Sequence, residues 1–237
     1  MLNFEAMRFP ATARLFATCL EQDCALCAVR SAELICPDCV AALPAPLASC
    51  VRCALPLAVP GVCGHCLAEP PRFDEAIAAF DYRFPIDRLV LRFKYAGDLA
   101  LGRWLAVALT ERVRSEARPD LVVAPPSTRE RLRSRGFNPA LEIAKAVAQA
   151  LGVRCAIAGL ERTRETAPQP GLGRRERERN LEGAIGCSLA LDGLHVALVD
   201  DVMTTGATAN AAARVIRARG AARVSAWVVA RTPEQHV

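Results

Sequence analysis

The fold of this chain is decided by the stretch V-A-L-V-D-D-V-M-T-T-G-A-T, from Val196 to Thr208. Its apolar first part predicts a buried parallel strand. Asp200 and Asp201 follow at the carboxyl end of that strand, where ligands bind in open α/β sheets. The turn after them opens a helix, so its hydroxyls and backbone N–H groups predict an anion site. Carboxylates can bind the two hydroxyls of a ribose, and here they precede a predicted phosphate site, so the stretch predicts a pocket for a ribose 5-phosphate. The residues predicted to bind its phosphate are Thr204, Thr205, Gly206, Ala207 and Thr208.

The alternative for this stretch is an ordinary strand–loop–helix junction without a ligand. Two adjacent carboxylates repel each other, which raises the cost of placing both at one strand end. Such perturbed acids cluster at functional sites. The pair therefore favours a binding site over a plain junction.

Strand and helix patterns alternate after Pro70-Pro71, which we interpret as a linker behind a cysteine-rich module. The predicted domains are residues 1–70 and 71–237. The alternation predicts an α/β fold, with a parallel sheet flanked by helices on both faces. The predicted strands are 76–82, 121–124, 196–200 and 223–230, and the predicted helices are 87–93, 99–112, 138–151 and 207–219.

The composition indicates a folded chain with unevenly distributed charge. Hydrophobic residues make up 52% of the 237 residues, which argues against disorder. Residues 129–180 contain twelve Arg or Lys and six Glu, whereas the whole chain has a net charge of +5. A basic region of this kind suits polyanions, and a solvated basic surface is the alternative. No apolar run is long enough to span a bilayer and no secretory signal is recognisable, so we expect a cytoplasmic protein.

Nine of the eleven cysteines lie in the first 66 residues, and eight of them form four C-x-x-C pairs. Two pairs together supply the four thiolates of a tetrahedral zinc site, so the module predicts two structural zinc ions. Sequential and cross-braced pairing both fit the spacing. A disulfide framework needs an oxidising compartment and is disfavoured, and an iron–sulfur cluster is a minor alternative. The predicted ligands are Cys24, Cys27, Cys36, Cys39, Cys50, Cys53, Cys63 and Cys66.

A second polar loop is predicted at the same sheet edge. Ser127, Thr128 and Arg129 follow a short strand and are predicted to receive a pyrophosphate. Residues 129–135 carry alternate arginines, which on an extended segment point one way and match phosphate oxygens. A solvent-facing basic loop is the alternative. Phosphate or nucleic-acid contacts are predicted for Arg131, Arg133, Arg135, Phe137 and Asn138.

The segment 163–180 is charged and contains several glycines and prolines. A loop of this length within a domain is usually functional or disordered. We interpret it as a lid that excludes water from the ligand, with disorder without function as the alternative. Its predicted contact residues are Gln169, Arg177, Arg179 and Asn180.

The motifs together resemble those of the ComF/GntX family over nearly the whole chain. The segment 196–208 resembles the signature of type I phosphoribosyltransferases, in which paired acids hold the ribose hydroxyls of 5-phosphoribosyl 1-pyrophosphate (PRPP). The motifs specific to the family are the C-x-x-C pairs, F-K-Y-A-G-D at 93–98, R-G-F-N at 135–138 and Q-x-x-L-x-x-x-x-R-x-R-N at 169–180. Pro139 departs from the family pattern, where glutamine is expected.

This resemblance implies a double zinc ribbon joined to a type I phosphoribosyltransferase-like domain, and a link to competence, where imported single-stranded DNA is processed. As an enzyme, the chain would bind PRPP with Mg²⁺ through Asp200 and Asp201, and Lys94 or Arg177 would neutralise the leaving pyrophosphate. The alternative is a non-catalytic, PRPP-responsive protein that binds nucleic acid. Single-stranded DNA and a competence helicase are the implied partners, and the acceptor and the oligomeric state stay open.

Overall fold

The apolar strands predicted from the sequence join in one parallel sheet. In the computed structural model of the chain, residues 21–164 and 183–233 are described. The strands are β1 (Gln22–Asp23), β2 (Arg30–Ser31), β3 (Glu75–Asp81), β4 (Leu121–Val123), β5 (Arg154–Ala156), β6 (Leu160–Arg162), β7 (Ile185–Cys187), β8 (His195–Met203) and β9 (Arg223–Arg231). The helices are α1 (Pro37–Ala41), α2 (Gly64–Ala68), α3 (Ile86–Ala96), α4 (Leu99–Val113), α5 (Arg129–Arg135), α6 (Pro139–Leu151) and α7 (Ala207–Ala218).

The central sheet has five strands in the order β3-β9-β8-β4-β5, and every neighbouring pair is parallel. Successive side chains of a strand point to opposite faces of the sheet. In β8, Ala197 and Val199 pack in one core with α3, α4 and α6, whereas Val196 and Leu198 pack in a second core with α7. The predicted α/β fold, with helices on both faces of a parallel sheet, is therefore confirmed.

The cysteine-rich module packs against both faces of this sheet. Cys24 and Cys36 belong to the core of the α3 and α4 face, and Cys50 and Cys53 belong to the core of the α7 face. Between the two cysteine groups the chain passes the end of β3, where a main-chain carbonyl accepts the N–H of Asp81 at 2.8 Å. The module and the sheet thus share their hydrophobic cores, and the predicted domain boundary at residue 70 remains a prediction.

The prediction of an extended, arginine-presenting segment at 129–135 was wrong, because these residues form helix α5. The hydroxyl of Thr128 caps the helix by accepting the N–H of Arg131 at 3.2 Å. Gly136 ends the helix in the left-handed conformation, with φ at 78°. Capping at both ends therefore overrides the alternation of charge, and the arginines spread around the helix instead of pointing one way.

After residue 70, the sequence patterns missed three short strands. β5 is the edge strand of the main sheet, and β6 pairs with β7 in a separate antiparallel ribbon. Each has three residues, and β5 and β6 contain no buried residue. Such segments show neither a continuous apolar run nor a long alternation, which are the signals that predict strands.

Within residues 21–164 and 183–233, no helix has the length and apolar character needed to cross a bilayer.

Candidate functional site

The paired acids lie at the carboxyl end of β8, where the sequence predicted them. The N–H of Asp201 donates to Asp200 Oδ1 at 2.8 Å, and the N–H of Val202 donates to Asp201 Oδ1 at 2.6 Å. Lys94 Nζ lies 2.8 Å from the same Oδ1 atom, and only 16% of the lysine side chain and 12% of the aspartate side chain are exposed. The structure therefore brings three of the predicted catalytic residues together. Lys94 and Asp201 form a largely desolvated ion pair, and Asp200 lies next to it.

The motif F-K-Y-A-G-D explains how Lys94 reaches the acids. Phe93 is fully buried and anchors the last turn of α3 in the core. Gly97 ends the helix with φ at 68°, and Asp98 caps the next helix by accepting the N–H of Leu101 at 3.2 Å. Because the end of α3 and the start of α4 are both held in place, the side chain of Lys94 extends to Asp201 at the edge of the sheet.

Burial and the neighbouring charge of Asp201 shift the protonation of Asp200. Burial raises the pKa of Asp200 to about 7, the charge of Asp201 adds to this effect, and the charge of Lys94 opposes it. Near neutral pH, Asp200 thus exchanges its proton readily, whereas Asp201 is paired with a cation. A cationic ligand would favour the ionised form of Asp200.

The turn after β8 leads into the N-terminus of α7, where the sequence predicts an anion site. Gly206, with φ at 81°, precedes the first turn of α7 and supplies no capping side chain. Thr205 Oγ1 accepts the N–H of Ala207 at 3.3 Å. Thr204 is exposed and Thr208 is half-buried. We refer to residues 204–208 as the phosphate loop, and its role in binding phosphate remains a prediction.

The residues predicted to receive pyrophosphate follow β4 at the same edge of the sheet. Thr128 is buried, and its hydroxyl is engaged as the cap of α5. Ser127 is half-buried, and Arg129 is exposed on the first turn of the helix. On α5, Arg131 and Arg133 are exposed to solvent, as a contact to a large polyanion requires.

The R-G-F-N motif connects α5 to the lysine-bearing helix. The Arg135 guanidinium lies 4.6 Å from the centre of the Tyr95 ring and donates to the tyrosine hydroxyl at 3.0 Å. The rings of Phe137 and Phe93 lie 5.4 Å apart. Asn138 Nδ2 donates to a carbonyl of the loop after β4 at 3.0 Å. The motif therefore organises the edge of the site, while Tyr95 remains 68% exposed.

Part of the predicted site lies outside the described residues. This applies to Gln169, Arg177, Arg179 and Asn180, and to the lid interpretation of the segment that contains them. Their roles remain predictions from the sequence.

The sequence patterns missed two residues near the site. Tyr82 follows β3, and burial raises the pKa of its hydroxyl while the charge of Lys94 opposes this shift. Arg231 is the last residue of β9 and is only 4% exposed. Both stand at the carboxyl end of an apolar strand in the same sheet. That position was the available signal, because it is where ligands bind in open parallel sheets.

The eight cysteines of the C-x-x-C pairs form two groups in sequential order. One group comprises Cys24, Cys27, Cys36 and Cys39, and the other comprises Cys50, Cys53, Cys63 and Cys66. Within each group all sulfur atoms lie within 4.8 Å of one another. The Sγ atoms of Cys27 and Cys36 are 3.7 Å apart, as are those of Cys53 and Cys63. A tetrahedral ion with Zn–S bonds of about 2.3 Å requires sulfur separations of about 3.8 Å, so both groups fit such an ion.

The protonation of these thiols also fits cation binding. Burial alone raises the pKa of Cys24, but backbone N–H donors from Cys36, Cys27 and Leu26 outweigh it and lower the pKa to about 6. Cys50 behaves in the same way, with a pKa of about 7. By contrast, burial and neighbouring thiols raise the pKa of the last cysteine in each group. Each group can therefore hold a thiolate readily, and a bound cation would allow the others to ionise.

Comparison with known proteins agrees with this architecture. The phosphoribosyl transferase domain family matches residues 138–237. The DNA utilization protein YhgH of Salmonella typhimurium is 35% identical over 205 residues, which cover 84% of this chain and 90% of that protein. Competence protein F of Haemophilus influenzae is 30% identical over 178 residues, which cover 71% of this chain and 78% of that protein. The chain belongs to the ComF family.

Membership of the ComF family accounts for both halves of the structure. The two four-cysteine groups fit a double zinc ribbon, and the parallel sheet fits a phosphoribosyltransferase-like domain. A solved purine phosphoribosyltransferase from Pyrococcus horikoshii is 18% identical, with a TM-score of 0.36, over 57% of this chain and 76% of that one. That likeness is too weak to bear on ligand or reaction.

Proposed function

We propose that this ComF-family protein binds PRPP with Mg²⁺ at the carboxyl edge of the sheet and acts as a phosphoribosyltransferase. The observation that carries the proposal is the largely desolvated Lys94–Asp201 pair, which lies next to Asp200 in the part of β8 that leads into the hydroxyl-rich phosphate loop. Carboxylates suit the ribose hydroxyls and Mg²⁺, and a helix N-terminus suits the 5-phosphate. The match of residues 138–237 to the phosphoribosyl transferase domain supports the same assignment.

Each of the site residues would have a distinct role in the reaction. Asp200 and Asp201 would hold the ribose hydroxyls directly or by holding Mg²⁺, which would supply positive charge that neutralises the pyrophosphate. The bond between C1 of the ribose and the pyrophosphate oxygen breaks, and the pyrophosphate leaves with the electron pair. The positive charge that develops at C1 is stabilised electrostatically until a nucleophile bonds to it. Ser127, Thr128 and Arg129 would receive the pyrophosphate, and Lys94 would neutralise its charge as it leaves.

Calorimetric titration with PRPP and Mg²⁺ tests the binding step. The wild-type protein should bind, and Asp201→Asn should abolish detectable binding, because it removes a carboxylate and the partner of Lys94. Screening nucleobases and single-stranded DNA for release of pyrophosphate then identifies the acceptor. Unchanged PRPP affinity in the Asp201→Asn protein would refute the site.

We infer further that the two cysteine groups hold zinc. The sulfur separations and the lowered pKa values of two thiols support zinc over a reduced, metal-free module. Elemental analysis of the purified protein should give two zinc ions per chain. A metal content near zero in folded protein would refute this inference.

A second candidate function is the binding of single-stranded DNA. Relatives carry the names DNA utilization protein and competence protein F. Two exposed arginines of α5 and the stacked pair of Tyr95 and Arg135 offer phosphate contacts and a surface for stacking bases. Binding should weaken steeply as salt rises. An affinity that is flat between low and moderate salt would exclude this function.

A further inference from the structure

A buried arginine joins the second cysteine group to the phosphate loop. Arg231 ends β9 and lies beside Asp81 of β3 and Met203 of β8 in the register of the sheet. Only 4% of this residue is exposed. Because burying a guanidinium is costly unless it is well hydrogen-bonded, its partners are expected to be structurally important.

Besides the carbonyl of the adjacent Thr232, which accepts from Nη1 at 2.9 Å, the hydrogen bonds of Arg231 reach two other parts of the chain. Its Nε donates to the carbonyl of Cys53 at 3.0 Å, and Cys53 is a member of the second cysteine group. Its Nη1 donates to the carbonyl of Met203 at 3.2 Å and to that of Thr204, the first residue of the phosphate loop. One guanidinium therefore contacts a metal-site loop on one side and a predicted ligand-binding loop on the other.

The geometry of these bonds fixes the orientation of the loop. A guanidinium is planar and rigid, so its Nε and Nη1 atoms cannot move independently. The carbonyl and the following N–H of a trans peptide point in opposite directions. Because the carbonyl of Thr204 points to Arg231, the N–H of Thr205 points away from it. This holds one donor of the phosphate loop in a defined direction before any ligand arrives.

The backbone of the second cysteine group is also held in a strained turn. Ala54, directly after Cys53, has φ at 55°, a conformation that is uncommon for residues other than glycine. The N–H of Ala54 donates to the carbonyl of Cys50 at 2.8 Å. Loss of the sulfur ligands would relax this turn and displace the carbonyl that Arg231 contacts.

We propose that Arg231 is a positioning residue for the phosphate loop, and that through it the affinity for a ribose 5-phosphate ligand depends on the integrity of the second cysteine group. The proposal rests on the proposed function, since it assumes that PRPP binds at this loop. It adds that the second metal site acts on ligand binding as well as on folding.

The first cysteine group provides a matched contrast. Arg92 Nη1 donates to the carbonyl of Ala25 at 2.8 Å, in the equivalent turn between Cys24 and Cys27. The other partner of Arg92 is Asp98 Oδ2, at 3.0 Å, whereas the cap of α4 uses Asp98 Oδ1 and is kept when Arg92 is replaced. Neither partner belongs to the phosphate loop. Arg92→Gln therefore removes the same kind of contact from the other metal site and serves as the control.

The test compares Arg231→Gln, Arg231→Lys and Arg92→Gln with the wild type by calorimetry, using PRPP, ribose 5-phosphate and inorganic pyrophosphate with Mg²⁺. Arg231→Gln should weaken binding of PRPP and ribose 5-phosphate by about tenfold or more. Binding of pyrophosphate, which does not need the phosphate loop, should stay within about twofold. Arg92→Gln should stay within about twofold for every ligand.

Several outcomes would overturn the proposal. One is an affinity of Arg231→Gln for ribose 5-phosphate within about twofold of the wild type, and another is an equal loss for ribose 5-phosphate and pyrophosphate. If Arg231→Gln does not fold, Arg231→Lys decides by the same criteria, since a single ammonium keeps the charge but cannot bridge both loops. A wild-type protein that binds neither PRPP nor ribose 5-phosphate would refute the proposed function and this inference together.

A double-mutant cycle tests the dependence on the cysteine group. Cys66→Ser removes one sulfur of the second group, and its zinc content is measured alongside ligand binding. If the cysteine group acts through Arg231, the double variant with Arg231→Lys should bind ribose 5-phosphate no more weakly than the weaker single variant. Losses that multiply would show that the two sites act independently, and would overturn the coupling.

Discussion

Replacing Asp200 by asparagine should stabilise the ligand-free protein while abolishing PRPP binding. Asp200 has a pKa of about 7 in the folded chain, against an ordinary value of 3.8, chiefly because of burial and then because of the adjacent Asp201. Below pH 4 the group is protonated in both the folded and the unfolded state. Between pH 4 and pH 7 only the folded state keeps the proton, so the free energy of unfolding falls as pH rises.

The size of the effect follows from the difference of about three pKa units. At about 1.4 kcal/mol per unit, ionised Asp200 destabilises the folded protein by as much as about 4 kcal/mol at pH 8. Asparagine is neutral throughout this range. The stability gained by Asp200→Asn should therefore grow by about 3 kcal/mol between pH 5 and pH 8. The ionised carboxylate thus lowers the stability of the folded protein for the sake of ligand binding, and the substitution to asparagine removes this destabilisation.

The assay is urea denaturation at pH 5 and pH 8, without Mg²⁺ or PRPP, since both favour the ionised carboxylate. Asp201→Asn is the matched control, because it leaves the partly buried Lys94 without its carboxylate. That variant should lose about 1–3 kcal/mol of stability, the opposite sign to Asp200→Asn. A gain from Asp200→Asn that does not change between the two pH values would refute the reasoning, as would a loss at pH 8.

Three further predictions concern other parts of the molecule. Gly102→Ala should cost about 1–3 kcal/mol of stability by urea denaturation, because a Cβ there would lie 2.4 Å from the Phe93 ring; a neutral result would show that α3 and α4 can separate freely. Chelation of the metal should lower the melting temperature, since each cysteine group lies in a core shared with the sheet; no change in the calorimetric transition would contradict this. Replacing Arg131 and Arg133 together by alanine should reduce the salt dependence of single-stranded DNA binding by about one to two units of slope, and an unchanged slope would place the contacts elsewhere.

Features encoded by neighbouring residues were predicted well from the sequence. The helix predicted at 207–219 spans Ala207–Ala218, and the strand predicted at 196–200 lies within β8, which continues past the paired acids to Met203. The helix predicted from Asn138 begins at Pro139, although the side chain of Asn138 bonds to the loop after β4 instead of capping the helix. These elements follow from local periodicity and from the hydrogen-bonding needs of helix ends, which contiguous residues determine.

Features that depend on closely balanced local preferences were predicted less well. The arginine segment at 129–135 forms a helix because Thr128 and Gly136 cap its two ends, whereas the alternation of arginines had indicated an extended segment. The pairing of the cysteines was also open in the sequence, and the structure groups them sequentially. Equal spacing permits either pairing, and only the path of the chain between the pairs decides which sulfurs meet.

The sequence by itself determined the α/β fold, the four C-x-x-C pairs and the acidic strand end, because each depends on residues that are close together along the chain. The tertiary structure alone decided that Lys94 pairs with Asp201, that Arg135 stacks on Tyr95, and that Arg231 spans from the second cysteine group to the phosphate loop. These contacts join residues far apart in the sequence. The distances between these residues depend on how the helices pack on the sheet and on the register of its strands. Neither can be predicted from a local sequence pattern.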